Sequence, residues 1–180
     1  DVDSPDGVVG ATVLHPGASS GARRWPATRW AAVARAETDA GRTVVLTGDA
    51  GEVALADEIA ARAGLGPAAV LAGRTSLLAL LATVAAAGRV VCGDTGLAHV
   101  ASAVRTPSVV LFGPTSPAVW GPPANGPHVV LWSGRTGDPH ATRPDPGLLA
   151  ITVGDVLQAL EALPLTPCGT GVSSAARRRW

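Results

Sequence analysis

The stretch Arg89-Val90-Val91-Cys92-Gly93-Asp94-Thr95-Gly96-Leu97-Ala98-His99 decides the fold. Its first part is apolar after the arginine, with no polar alternation, as in a strand covered on both faces. Gly93 and Asp94 end that run, and helical spacing starts at Leu97 and continues to residue 104. A buried strand that turns directly into a helix is half of a βαβ unit. The same grammar recurs outward in both directions. Apolar, β-rich runs lie at 9–14, 43–47, 69–71, 108–112 and 128–132. Helical segments lie at 27–40, 51–63, 76–87 and 153–163. Trp30, Val33 and Ala34 share a face of the first, and Val53, Leu55, Ile59 and Ala60 of the second. Residues 76–87 are nearly all apolar and read as a buried helix. The last helix carries a stripe of Val156, Leu157, Leu160 and Leu163. This order predicts an α/β fold, a doubly wound Rossmann-like parallel sheet with right-handed crossovers.

Composition narrows the class. At 180 residues the chain is one domain or part of a larger protein. A chain of this length buries roughly 70% of its unfolded surface and needs no staple to fold. Its 14 basic residues balance 14 acidic ones, so it lacks the cationic surface that nucleic-acid binding demands. Cys92 and Cys168 are too few for a disulfide framework and lack metal-ligand spacing. The apolar run at 77–87 is too short to span a bilayer, and no signal peptide is read at the start. The expectation is a soluble cytoplasmic protein. Residues 1–7 read as a linker, 8–164 as the folded domain, 133–147 as a loop, and 165–180 as a disordered tail.

In an open parallel sheet, ligands bind outside the carboxyl ends of the strands. The residues following the predicted strands are His15-Pro16-Gly17-Ala18-Ser19-Ser20, Thr47-Gly48-Asp49-Ala50-Gly51-Glu52, Ala72-Gly73-Arg74-Thr75-Ser76, Gly93-Asp94-Thr95-Gly96 and Gly113-Pro114-Thr115-Ser116-Pro117. Each combines Gly with hydroxyls. Gly lets a ligand approach the backbone, and hydroxyls and helix N-termini bind anions. Each loop alone also reads as an ordinary turn or N-cap. Five at one rim point to a shared ligand. Asp94 or Thr95 can cap the helix that follows, and His99 lies one turn in, able to donate to a phosphate or to sit satisfied beside Val100. Arg23 and Arg24 could clamp a diphosphate or form a solvated pair. Glu52 could accept from ribose hydroxyls or offset a helix dipole.

Several pattern matches fail on context. Gly17-Ala18-Ser19-Ser20-Gly21 fits the nucleophile elbow of α/β hydrolases, but residues 23–26 delay the helix such an elbow needs. Gly64-Leu65-Gly66-Pro67-Ala68-Ala69 fits a dinucleotide fingerprint but lies between a helix and the next strand, the reverse of the required order. Cys92 reads as a small hydrophobe, and His128 and His140 have no metal-like partners in sequence.

The ordered set His15-Pro16-Gly17-Ala18, Arg23-Arg24-Trp25-Pro26, Thr47-Gly48 with Glu52, Gly73-Arg74-Thr75-Ser76-Leu77, Asp94-Thr95-Gly96-Leu97-Ala98-His99 and Leu111-Phe112-Gly113-Pro114-Thr115-Ser116-Pro117 resembles the C-terminal half of glycosyltransferase family 9, the ADP-heptose:lipopolysaccharide heptosyltransferases. The resemblance spans residues 9–163. It implies one half of a GT-B architecture, in which two Rossmann-like domains face each other across a cleft and the C-terminal one holds the nucleotide-sugar donor. By the same resemblance Arg23 contacts the donor phosphates, with Ser19 in the same loop. Glu52 meets the ribose and Thr75 lines the adenine edge. Asp94, Thr95, Gly96 and His99 cradle the pyrophosphate and sugar.

The resemblance further implies transfer with inversion from an ADP-sugar, heptose-like, without metal or cofactor. The acceptor would be a glycan or lipid-linked molecule held by an N-terminal domain that this chain lacks, at the inner face of the membrane. The general base would belong to that domain, leaving no catalytic residue here. The expectation is therefore a chain that binds donor and transfers no sugar alone, whose last helix lacks the partner it crosses to. Two other readings stay open: an α/β hydrolase using Ser19, and a non-catalytic nucleotide-binding module.

Overall fold

A computed structural model describes residues 7–164; the expected linker up to residue 6 and the tail at 165–180, with Cys168, lie outside the described residues. Five strands, β1 (Thr12–His15), β2 (Val44–Leu46), β3 (Arg89–Gly93), β4 (Ser108–Leu111) and β5 (His128–Leu131), form one sheet in the order β2-β1-β3-β4-β5. Every pairing is parallel, with Leu14 opposite Leu46 on one side and Val91 on the other. The helices are α1 (Ala27–Asp39), α2 (Val53–Ala63), α3 (Leu77–Ala86), α4 (Gly96–Ala103), α5 (Pro117–Trp120), α6 (Pro146–Ala150) and α7 (Val153–Ala162).

The strands lack alternation because both faces are covered. Leu14, Val91, Val109 and Leu111 pack with Trp30, Val33, Ile59 and Leu160 in one layer. Val13, Val90, Cys92 and Val110 pack with Val84, Leu97 and Ala101 in the other. Each successive side chain thus enters an apolar layer, at about 1.5–3 kcal/mol per large residue buried.

At the amino ends of β1 and β3 sits Glu37, only 1% exposed. Thr12 Oγ1 donates to its carboxylate at 2.5 Å, Arg42 at 2.7 and 2.9 Å, and Arg89 lies at 3.0 Å. Burial opposes ionisation of Glu37, but the hydrogen bonds from Arg42 and Thr12 and the charge of Arg89 outweigh it and hold the pKa below the ordinary value. This cluster ties α1 to the start of both central strands. It leaves the carboxyl ends of the sheet for other chemistry.

Four expectations need correction. Residues 69–71 form no strand: after a 3-10 turn at Pro67–Ala69, Val70 makes a single parallel bridge to Leu46. Pro67 opens that turn, and three residues cannot sustain a ladder after it. β1 begins at Thr12, and Val9 is 77% exposed. The segment read as a buried helix buries only Thr83 and Val84 within α3, while Leu77 and Leu78 are 70% and 62% exposed. A uniformly apolar helix carries no period that tells which face is covered. Finally, α7 has its partner within the chain. Val156, Ala159, Leu160 and Leu163 join the layer of α1 and β4, and a capping box between Thr152 and Asp155 starts the helix.

Candidate functional site

The chain leaves β1 for β2 on one side, and β3 lies on the other. The strand order reverses between them, and a crevice forms outside the carboxyl ends at such a point. Two adjoining clefts occupy it. One, of about 350 Å³, is lined by Ser19, Arg23, Glu52, Thr75, Thr95 and Gly96 among others. The second, of about 380 Å³, is lined by Asp94 and His99 and shares Arg23, Thr95 and Gly96 with the first. All eight residues predicted for the site are brought to this one crevice.

The shared wall is the N-terminus of α4. Thr95 stands at the N-cap with extended backbone (φ −142°), and its side chain caps nothing. The cap expected from Asp94 or Thr95 is therefore not made. By contrast Asp49, Ser76, Ser116, Asp145 and Thr152 all accept from backbone N–H groups at their helix starts. The first N–H groups of a helix need an acceptor from outside, and the helix dipole favours an anion there. Three buried side-chain polar atoms among the described residues have no hydrogen-bond partner: Trp30 Nε1, Thr95 Oγ1 and Arg23 Nε. Two of the three belong to residues of this shared wall. Such an atom costs about 1–3 kcal/mol when left unpaired.

Arg23 is presented by a 3-10 turn at Gly21–Arg23. Behind it the buried Trp25 anchors the chain, donating Nε1–H to the Ile151 carbonyl at 3.1 Å and meeting Trp30 edge to face at 5.4 Å. Arg23 Nη1 donates to the Asp94 carbonyl at 3.0 Å and Nη2 to Ser19 Oγ at 2.5 Å. The guanidinium thus bridges the β1 and β3 loops. Arg24 turns away and donates to the Ala18 carbonyl at 3.0 Å, so the expected two-arginine clamp reduces to Arg23. The hydrolase reading fails on the turn: a 3-10 turn follows Ser19 where a nucleophile elbow needs an α-helix.

Glu52 belongs to a capping box, its Oε2 accepting from Asp49 N at 2.9 Å. Its carboxylate lies against Gly17, where a Cβ would stand 1.9 Å from Oε1. A side chain at 17 would have to push that carboxylate aside. Glu52 thus caps the turn and also lines the cleft. Thr75 sits with Leu77 and Leu80, which give the first cleft an apolar wall.

Asp94 is buried, and burial raises its carboxyl pKa, although Arg23 and His99 pull it down. His15, which bonds Thr47 Oγ1 at 3.0 Å, is pushed down by burial despite the nearby Glu52 and Asp49 carboxylates. Burial, with Asp94 adding to it, pushes the Cys92 thiol up to about 12, so it is an inert hydrophobe. Among the described residues no group of three or more His, Cys, Asp or Glu could hold a metal, and no helix is long and apolar enough to cross a membrane.

Sequence reasoning missed several lining residues. His15, Asp49, Leu77 and Leu80 join the first cleft, and Thr115, Trp120 and His140 the second. Asp49 and His15 were within the quoted loops. Trp120 carried a signal too, as a tryptophan just beyond Ser116-Pro117, a helix-start pair on the same rim.

The family model described as glycosyltransferase family 9 (heptosyltransferase) matches residues 8–147. The chain belongs to glycosyltransferase family 9. This family 9 chain is 38% identical over 159 residues to lipopolysaccharide heptosyltransferase 2 of Escherichia coli (strain K12), covering 83% of the chain and 45% of that relative. It superposes on the solved E. coli ADP-heptose LPS heptosyltransferase II with a TM-score of 0.74 at 33% identity, over 86% of this chain and 46% of that one. A structure of E. coli heptosyltransferase WaaC with ADP matches with a TM-score of 0.70 at 25% identity, over 88% and 46%. The chain spans about half the length of the curated relatives it matches. The motif resemblance and the expected doubly wound GT-B half-domain both hold.

Proposed function

We propose that residues 8–164 form the donor-binding domain of a glycosyltransferase that transfers a heptose-like sugar from ADP to a cell-envelope glycan such as lipopolysaccharide. One observation carries this reading: the uncapped start of α4, with Thr95 Oγ1 and Arg23 Nε buried and unpartnered beside it. That arrangement fits a pyrophosphate. The first cleft, walled by Leu77, Leu80 and Thr75 and closed by Glu52, suits an adenosine whose ribose hydroxyls donate to the carboxylate. The sugar then extends past Gly96 toward Asp94 and His99 in the second cleft. The relatives' names include ADP-heptose and lipopolysaccharide, which supports this choice of donor and acceptor.

The geometry gives a mechanism. As the bond to the anomeric carbon breaks, negative charge grows on the diphosphate. Arg23 and the N–H groups opening α4 are held ready where that charge develops, so they stabilise the transition state more than the ground state. The acceptor hydroxyl attacks from the opposite face of the sugar, with inversion. We assign the base to a carboxylate outside this site. We assign the counter-charge to Arg23 and α4 rather than to a metal, so donor affinity should survive EDTA. We also place the protein at the inner face of the membrane, where such an acceptor is made.

Calorimetric titration with ADP, UDP and GDP tests the reading. ADP is expected to bind most tightly, and Asp94→Ala to weaken ADP-heptose. Equal affinity for the three nucleotides would refute the adenosine assignment. Nucleotide binding in the full-length enzyme with no sugar transfer to any acceptor would favour a non-catalytic binding module.

A further inference from the structure

The second cleft contains a feature that binding of a nucleotide does not need. α5 has four residues, started by Ser116 and Pro117. It ends at Gly121, whose N–H donates to the Pro117 carbonyl at 2.7 Å and where a Cβ would stand 2.3 Å from that oxygen. The turn is thus closed tightly just beyond Trp120, which sets the backbone from which the indole projects. Trp120 is 56% exposed and meets the His99 ring at 6.4 Å between centroids, with planes 75° apart. Because it lines the cleft, this exposed indole offers a large amphipathic surface to whatever enters. The same cleft is lined by Arg23, Asp94, Thr95, Thr115, His99 and His140. Thr95 Oγ1 is buried without a partner.

An aromatic face ringed by a carboxylate, hydroxyls and imidazoles suits a polyol ring. The C–H face of a pyranose is apolar and packs on an indole, while its hydroxyls reach the polar rim. The phosphates do not use such a face, and the proposed pose puts the base in the first cleft. Resting on the donor site proposed above, we infer that Trp120 is the platform on which the sugar of the donor stacks, with the His99 ring set nearly perpendicular beside it. Trp120 is therefore a specificity-determining residue for the sugar and is indifferent to the nucleotide. A sugar whose stacked face carries an axial hydroxyl would lose contact with the indole.

The test compares ADP with ADP-heptose by calorimetric titration of the chain and of its Trp120→Ala and Trp120→Phe variants. Trp120 is exposed, so both variants are expected to fold, which circular dichroism checks. Trp120→Ala should weaken ADP-heptose about three- to tenfold while leaving ADP within twofold. Trp120→Phe should recover most of the loss. If Trp120→Ala weakens both ligands equally, or neither, the platform assignment is wrong while the donor site stands. If the unmodified chain binds neither ADP nor ADP-heptose, the donor site itself is wrong and the platform falls with it.

Discussion

Replacing Arg23 by alanine separates phosphate recognition from folding. The guanidinium makes two hydrogen bonds, to the Asp94 carbonyl and Ser19 Oγ, and keeps Nε–H buried and unpaired. Alanine removes the two bonds but also removes the orphan. The two bonds, one half-buried and one exposed, and the orphan oppose each other at about 1–3 kcal/mol on each side, so stability should move little. Donor binding has no such offset. A phosphate oxygen accepting from Nε–H gains a charge-assisted bond worth about 1.5–3 kcal/mol. Its loss corresponds to a roughly 10- to 150-fold rise in the Kd for ADP. Part of Arg23 is solvent-accessible, so the effect should sit toward the lower end and shrink with added salt. Arg23→Lys keeps the charge but loses the fork and should recover only part. Adenosine, which has no phosphate, should bind both proteins equally. Calorimetry with ADP and adenosine, beside a thermal melt, reads all of this. If Arg23→Ala binds ADP within threefold of the parent, or weakens adenosine as much as ADP, the phosphate role of Arg23 is refuted.

Three further outcomes follow from named contacts. Thr95→Val removes a buried hydroxyl that has no partner, so the melt should hold or rise slightly while ADP affinity drops; a clear fall in melting temperature would mean that the hydroxyl is satisfied in the free protein. Gly17→Ala should displace Glu52 from its capping box, costing about 1 kcal/mol in a denaturant titration and weakening ADP, and unchanged values for both would show that the carboxylate moves freely. Glu37→Ala leaves Arg89 buried beside Thr12 without its partner and should cost about 3–5 kcal/mol in urea unfolding. Because the Glu37 pKa is depressed, its contribution is complete above the ordinary value of 4.5 and is lost as pH falls through its lower folded value. The parent and variant stabilities should therefore converge in acid, and a constant gap across pH would refute that role.

The parts of the fold legible in the sequence were those with a period or a punctuated end. Strands buried on both faces gave unbroken apolar runs, and the Gly93-Asp94-Thr95-Gly96 turn marked the crevice because a strand and a helix meet there. What escaped depended on direction in space. Arg23 and Arg24 are identical neighbours, yet one enters the crevice and the other braces Ala18, since adjacent residues on a tight turn point different ways. The absence of a cap at Thr95 was equally hidden, because threonine at a helix start reads as a cap. The exposed leucines of α3 look the same in sequence as buried ones. Trp120 enters the site through α5, which is too short to show a helical period.

The most direct measurement is a crystal structure of the chain with ADP-heptose. The pyrophosphate should accept from the N–H groups opening α4 at Gly96 and from Arg23, with the adenine against Leu77 and Leu80. Electron density for the ligand in the cleft of about 500 Å³ between β5 and α7, beside Leu131 and Gln158, would contradict the account.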